Sequence, residues 1–198
     1  MIAIVDYQAG NLASVKKAFD HLGAASQITS DPDFIRSASQ IVLPGVGHFA
    51  ATETLNRGGL REAITSAIEQ GVPFLGICVG MQWLFEGSEE SPPTKGLGFF
   101  AGKCTRFDSQ MKVPHVGWNQ IDTRAESKLL RGIASGEFVY YTHSYRAPVI
   151  DGAVATSHYG GPFAAIVERD HLFGVQFHPE KSAAFGLRLL KNFCELPC

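Results

Sequence analysis

The chain predicts an α/β fold: a mostly parallel sheet flanked by helices, with antiparallel hairpins in the second half. Strand and helix patterns alternate through the first half, and short β-branched and aromatic runs separated by tight turns crowd the second. Between them an apolar strand turns straight into a helix at Gly76-Ile-Cys78-Val-Gly80. Residues 2–6 read as the first strand, 11–22 as a helix stopped at Gly23, 26–29 as a strand and 31–37 as a short helix. Residues 40–43 form the next strand. Leu60, Ala63, Ile64, Ala67 and Ile68 then recur at the period of an amphipathic helix over 60–70, ending at Gly71. Residues 74–77 lead into the elbow. Later strands are expected at 102–107, 112–115, 138–144, 153–157, 164–168 and 172–177. Turns such as Tyr159-Gly-Gly-Pro162 suggest hairpins added to one side of the sheet. Residues 183–194 close the chain as a helix burying Leu187, Leu190 and Phe193.

Residues 1–198 are expected to form a single domain, because the length suits one sizeable core and no repeat or linker interrupts it. A net charge of −2 gives no electrostatic footprint for nucleic acid. No basic amphipathic stretch marks a membrane surface. The chain begins directly as a strand, and its longest uncharged run, 71–85, is too short to span a bilayer. The cysteines at 78, 104, 194 and 198 lack zinc-like spacing, so free thiols in a reducing cytoplasm are expected, with no metal and no cofactor.

The elbow carries the chemistry. Gly76 and Gly80 let the chain fold tightly on both sides of Cys78, whose side chain is expected to stand exposed at the turn. The helix that follows points free N–H groups at the sulfur and favours the thiolate. A lone cysteine is ordinarily a small buried hydrophobe; the flanking glycines and the strand-to-helix switch favour a nucleophile instead. Its base is His178, in Phe177-His-Pro-Glu180, at the carboxyl end of a buried strand where ligands gather in open α/β sheets. Pro179 restricts His178 to an extended conformation, in which His178 and Glu180 would project to the same side. The carboxylate could then hold one imidazole nitrogen while the other takes the thiol proton. Alone, this string would be an ordinary surface turn. The Gly-rich turn Pro44-Gly-Val-Gly47 offers an oxyanion N–H from Val46 or Gly47, paired with that of Val79.

Cys elbow, oxyanion turn and late His-Pro-Glu together resemble the class I glutamine amidotransferase family over essentially the whole chain. That resemblance implies a flavodoxin-like fold, hydrolysis of glutamine to glutamate and ammonia, and a Cys78, His178, Glu180 triad. Asp6-Tyr-Gln-Ala-Gly-Asn11, Ser88-Glu-Glu90, Lys112-Val-Pro-His-Val-Gly-Trp-Asn119, Tyr140-Tyr-Thr-His-Ser-Tyr145 and Phe177-His-Pro-Glu-Lys-Ser182 are similar, more narrowly, to glutaminase subunits of histidine biosynthesis. Those pass ammonia to a cyclase subunit with a (β/α)-barrel fold. The resemblance implies that Gly47, Gln82, Ser144 and Tyr145 surround the glutamine. It also implies that Asn11, Trp118, Tyr140 and Lys181 lie near the subunit interface. Gln8 stands where the family commonly has Gly, His48 where a small residue is usual, and Thr142 where an aliphatic one is typical.

Two other readings compete. A free-standing cysteine hydrolase would use a similar elbow, but its acid normally precedes its histidine in the chain. A silent interaction module would be expected to have lost a triad member, and none is missing.

Overall fold

In the computed structural model, which describes residues 1–197, the first half of the chain runs β1 (Ile2–Val5), α1 (Leu12–His21), β2 (Ser26–Thr29), α2 (Pro32–Ser37) and β3 (Gln40–Gly45). A 3₁₀ segment (Phe49–Asn56), α3 (Leu60–Glu69), β4 (Phe74–Cys78) and α4 (Val79–Gln82) follow. The second half holds β5 (Gly87–Ser88), β6 (Lys103–Arg106), β7 (His115–Gln120), β8 (Asp122–Thr123), β9 (Phe138–His143) and β10 (Tyr145–Arg146). It ends with β11 (Ala153–His158), β12 (Pro162–Arg169), β13 (Leu172–Val175), a 3₁₀ turn (Pro179–Lys181) and α5 (Ala183–Cys194). Cys198 lies outside the described residues; Cys78, Cys104 and Cys194 are free thiols. Among the described residues no helix is long and apolar enough to cross a membrane.

The main sheet has the order β2-β1-β3-β4-β13-β12-β11-β8. Its strands from β2 to β13 are parallel, and β12, β11 and β8 continue it antiparallel. Every residue of β1, β3, β4 and β13 is buried, as expected of strands covered on both faces. Helix α1 packs with α5, and α2 with α3. Right-handed crossovers put these pairs on opposite faces, because the chain reverses direction across the sheet after β2.

The hairpins expected on one side of the sheet are present in β11, β12 and β13, with Tyr159–Pro162 at the first turn, but they do not take in every later strand. Only part of the second half joins the main sheet: β7 and β9 form a separate ribbon, and β10, β6 and β5 a third sheet. The run at 112–115 is not a strand. Pairing begins at His115, after a cis Val113–Pro114 peptide, since Pro114 has no N–H to donate to a ladder. Helix α4 is a single turn. The carbonyls of Trp83, Leu84 and Phe85 accept instead from the amides of Leu97, Phe100 and Gly98, which diverts the chain from the helix. Leu190 and Phe193 are buried as expected, joined by Phe185 and Leu189, whereas Leu187 is only partly buried.

Helix α5 meets the 179–181 turn so closely that a Cβ on Gly186 would lie 1.8 Å from the Pro179 carbonyl oxygen. Gly186→Ala is therefore expected to cost about 1–3 kcal/mol through overpacking, read as a lower urea midpoint at unchanged slope.

Candidate active site

Cys78 ends β4 with φ 53° and ψ −106°, a backbone conformation costly for a residue with a Cβ and held by the sheet around it. Sheet register places Gly45 opposite Cys78, so the turn after β3 lies beside the elbow. The approach is tight: a Cβ on Gly80 would lie 2.0 Å from the Leu43 carbonyl oxygen, and one on Gly76 2.4 Å from that of Gly80.

Cys78 is not exposed as expected. It is 3% accessible, in the wall of a cavity of about 200 Å³, because the segments around Pro114 and 142–145 cover the elbow. Gly47, Val79, Gln82, Ser144 and Tyr145 line this cavity; Val46 does not. Glu90, Pro114, Thr142 and His143 also line it, and none of them is assigned to the site from sequence alone. The thiol donates to the Thr142 carbonyl at 4.0 Å and accepts from Gln176 Nε2 at 3.7 Å. Only the placement of Glu90 in a Ser-Glu-Glu string, and of Thr142 and His143 beside Ser144, hinted at these roles. Gln176 two residues before His178 carried the weakest signal.

His178 lies three residues beyond β13, fixed by its N–H donating to the Tyr140 carbonyl at 2.9 Å. Its Nδ1 pairs with Glu180 Oε1 at 2.9 Å, both side chains being 1% accessible. The reason differs from the expected one. Pro179–Lys181 is a 3₁₀ turn rather than extended chain, and the turn brings the carboxylate back to the ring. Burial lowers the imidazole pKa, but the adjoining Cys78 sulfur and the Glu180 carboxylate outweigh it and push His178 up to about 10. Nε2 has no protein partner of standard hydrogen-bond geometry, which leaves it free for a reacting group.

Trp118 is exposed, packs edge-on against Tyr140 at 6.1 Å, and Lys181 Nζ lies 5.7 Å over the Tyr140 ring. Asn11 caps α1 in position, without a side-chain capping bond, and α1 packs against the 179–181 turn. Gln8 has φ 66°, the left-handed conformation a Gly would adopt at less cost, and His48 Nδ1 accepts from the Ala50 N–H at 3.1 Å.

The family Glutamine amidotransferase class-I matches residues 3–196. The chain is 51% identical to the imidazole glycerol phosphate synthase subunit HisH of Thermococcus kodakarensis, over 99% of this chain and all of that one. It is 48% identical to the HisH subunit of Moorella thermoacetica over 98% and 94% of the two chains. A crystal structure titled glutamine amidotransferase superposes with a TM-score of 0.77 at 16% identity, covering 98% of each chain, which speaks to the fold.

A pKa raised from 6.5 means that protonated His178 contributes stability fully below about pH 6.5, and that the contribution is lost as pH rises through about 10. Cys78→Ala removes the larger of the two raising partners. The NMR titration midpoint of His178 is expected to fall in that variant, and an unchanged midpoint would mean that Glu180 alone sets it.

Proposed function

The chain belongs to the class I glutamine amidotransferase family, and we propose that it is the glutaminase subunit of an imidazole glycerol phosphate synthase, acting as one domain over residues 1–198. The observation that carries this reading is the convergence of Cys78, Gln82, Ser144, Tyr145 and the Glu90 carboxylate on one small cavity beside a buried His178–Glu180 pair. A cavity of about 200 Å³ suits a free amino acid. Glu90 would meet the α-ammonium of glutamine, and Gln82 Oε1 would accept from the substrate while its Nε2 stays bound to the Tyr145 carbonyl at 2.9 Å.

Cys78 thiolate attacks the side-chain amide carbon. The oxyanion is held by the Val79 N–H, the first of the helix, and by an N–H of the 46–47 turn, each donor worth roughly 3–4 kcal/mol. His178 gives its proton to the departing nitrogen, the C–N bond breaks, and ammonia leaves a γ-glutamyl thioester. His178 then takes a proton from water, hydroxide adds to the thioester carbon, and the C–S bond breaks to return the thiolate and release glutamate. Glu180 holds the ring through Nδ1.

The ammonia passes to a cyclase subunit of (β/α)-barrel fold docked on the face formed by Trp118, Tyr140 and Lys181, with Asn11 at its edge. There it joins an aminoimidazole carboxamide ribonucleotide derivative, giving imidazole glycerol phosphate and AICAR. The reaction needs no metal or other cofactor and is assigned to the cytoplasm. Gly47, with φ 102°, leaves the oxyanion turn able to rotate a peptide when the partner binds.

Ammonia release from glutamine is expected to be weak for the chain alone, to rise strongly with the cyclase and its nucleotide, and to vanish in Cys78→Ala. In the same assay Glu90→Gln should raise KM roughly tenfold or more, the loss of one charged hydrogen bond. Full activity without a partner would sink the gated model in favour of an independent amidase. Trp118→Ala should weaken cyclase binding, measured by calorimetry, by about 2 kcal/mol, as truncation of a buried aromatic anchor does; unchanged affinity would move the interface elsewhere.

A further inference from the structure

Outside the His178–Glu180 pair, an unbroken run of hydrogen bonds crosses from β7 to the thiol. Asn119 Nδ2 meets His115 Nε2 at 3.4 Å. His115 Nδ1 meets His143 Nε2 at 2.9 Å, and His143 Nδ1 meets the Tyr145 carbonyl oxygen at 2.9 Å. The same carbonyl accepts from Gln82 Nε2, whose other hydrogen goes to Gln176 Oε1 at 3.2 Å. Gln176 Nε2 then donates to Cys78 Sγ at 3.7 Å.

The proton positions follow from the carbonyl. It can only accept, so His143 carries hydrogen on Nδ1 and a lone pair on Nε2. His115 must then donate from Nδ1, which leaves its Nε2 to accept from Asn119. A second proton on either ring would set donor against donor. Burial keeps both neutral, with His115 pushed down to about 4 and His143 to about 3. The charged or titratable groups facing His143 are His115, His178 and Arg146, and each opposes a further positive charge there. His115 is also clamped between the rings of Tyr141 and Tyr159, at 4.9 and 4.0 Å.

We propose that His115 and His143 are positioning residues whose fixed tautomers orient the Tyr145 carbonyl, Gln82 and Gln176, so that the Gln176 amide N–H, rather than its carbonyl oxygen, faces the Cys78 sulfur. An amide reversed at Gln176 would leave Gln82 Nε2 facing an NH₂ group and the Cys78 sulfur without the Gln176 donor. The chain excludes that arrangement. The consequence for glutamine turnover rests on the proposed glutaminase activity; the tautomers and the thiol's reactivity do not.

The test begins with the unaltered full chain, labelled with ¹⁵N-histidine. Both His115 and His143 are expected to carry hydrogen on Nδ1 near neutral pH, and hydrogen on Nε2 of either would overturn the proposal. Next, iodoacetamide alkylation of Cys78 is followed by mass spectrometry across pH. In Gln176→Leu and His143→Leu the alkylation rate near neutrality should fall roughly three- to tenfold, as loss of one hydrogen bond to the sulfur implies. His143→Asn keeps a donor near the Nδ1 position and should recover most of the rate. An unchanged alkylation rate in folded Gln176→Leu would refute the role. Should the Leu variants fail to fold, the tautomers of the unaltered chain decide. If those tautomers and the slower alkylation are found but glutamine is not hydrolysed with the cyclase present, the functional reading falls and this one stands.

Discussion

Three backbone segments meet around Cys78 more closely than side chains would permit, and the site depends on that approach. The first turn of α4 lies on β3 where Gly80 has no Cβ to strike the Leu43 carbonyl, and Gly76 leaves room for the carbonyl of Gly80. Gly45, opposite Cys78 in the ladder, admits Val79 in the same way. The strained elbow therefore rests on regular parallel pairing on both sides of β4. Local strain is tolerated because breaking it would mean separating the central strands of the sheet.

Burial lowers the pKa of every histidine near this elbow, yet the net shifts are opposite, and partners explain the difference. His115 and His143 have aromatic rings and each other for neighbours, so loss of hydration favours their neutral forms. His178 is as deeply buried, yet the sulfur and the Glu180 carboxylate favour its cation. A buried charge without such partners would be expected to neutralise. The elbow thus has the raised-pKa imidazole of His178 on one side and the Gln176 amide N–H on another.

The exposed aromatic face is tied to His178 through backbone rather than through side chains. Tyr140 accepts from the His178 N–H, and its own N–H donates to Ser182 Oγ at 3.0 Å. Ser182 Oγ in turn donates to the His178 carbonyl at 2.7 Å. Strand alternation in β7 and β9 sends Trp118 and Tyr140 outward while His115, Tyr141 and His143 point into the core. The same ribbon therefore carries an outward apolar surface and the inner histidine chain. A displacement of that ribbon would reach both sides of the thiol.

The sequence by itself determined the strands and helices of the first half, the elbow at Cys78 and the bounds of α5, because apolar periodicity, glycine placement and helix stops act over a few residues. The string around His178 likewise marked the partner of Glu180. Only the tertiary structure decided that β7 and β9 stand apart from the main sheet, that α4 stops after one turn, and that Glu180 reaches His178 through a 3₁₀ turn. It also decided that Glu90 and His143 line the cavity and that Gln176 meets the Cys78 sulfur. Each of these depends on contacts between residues far apart in the chain, such as the Leu97 amide on the Trp83 carbonyl or Gln176 on Cys78. Local patterns cannot encode them, because a hydrogen-bonding group leaves no periodic trace of the distant partner it will meet.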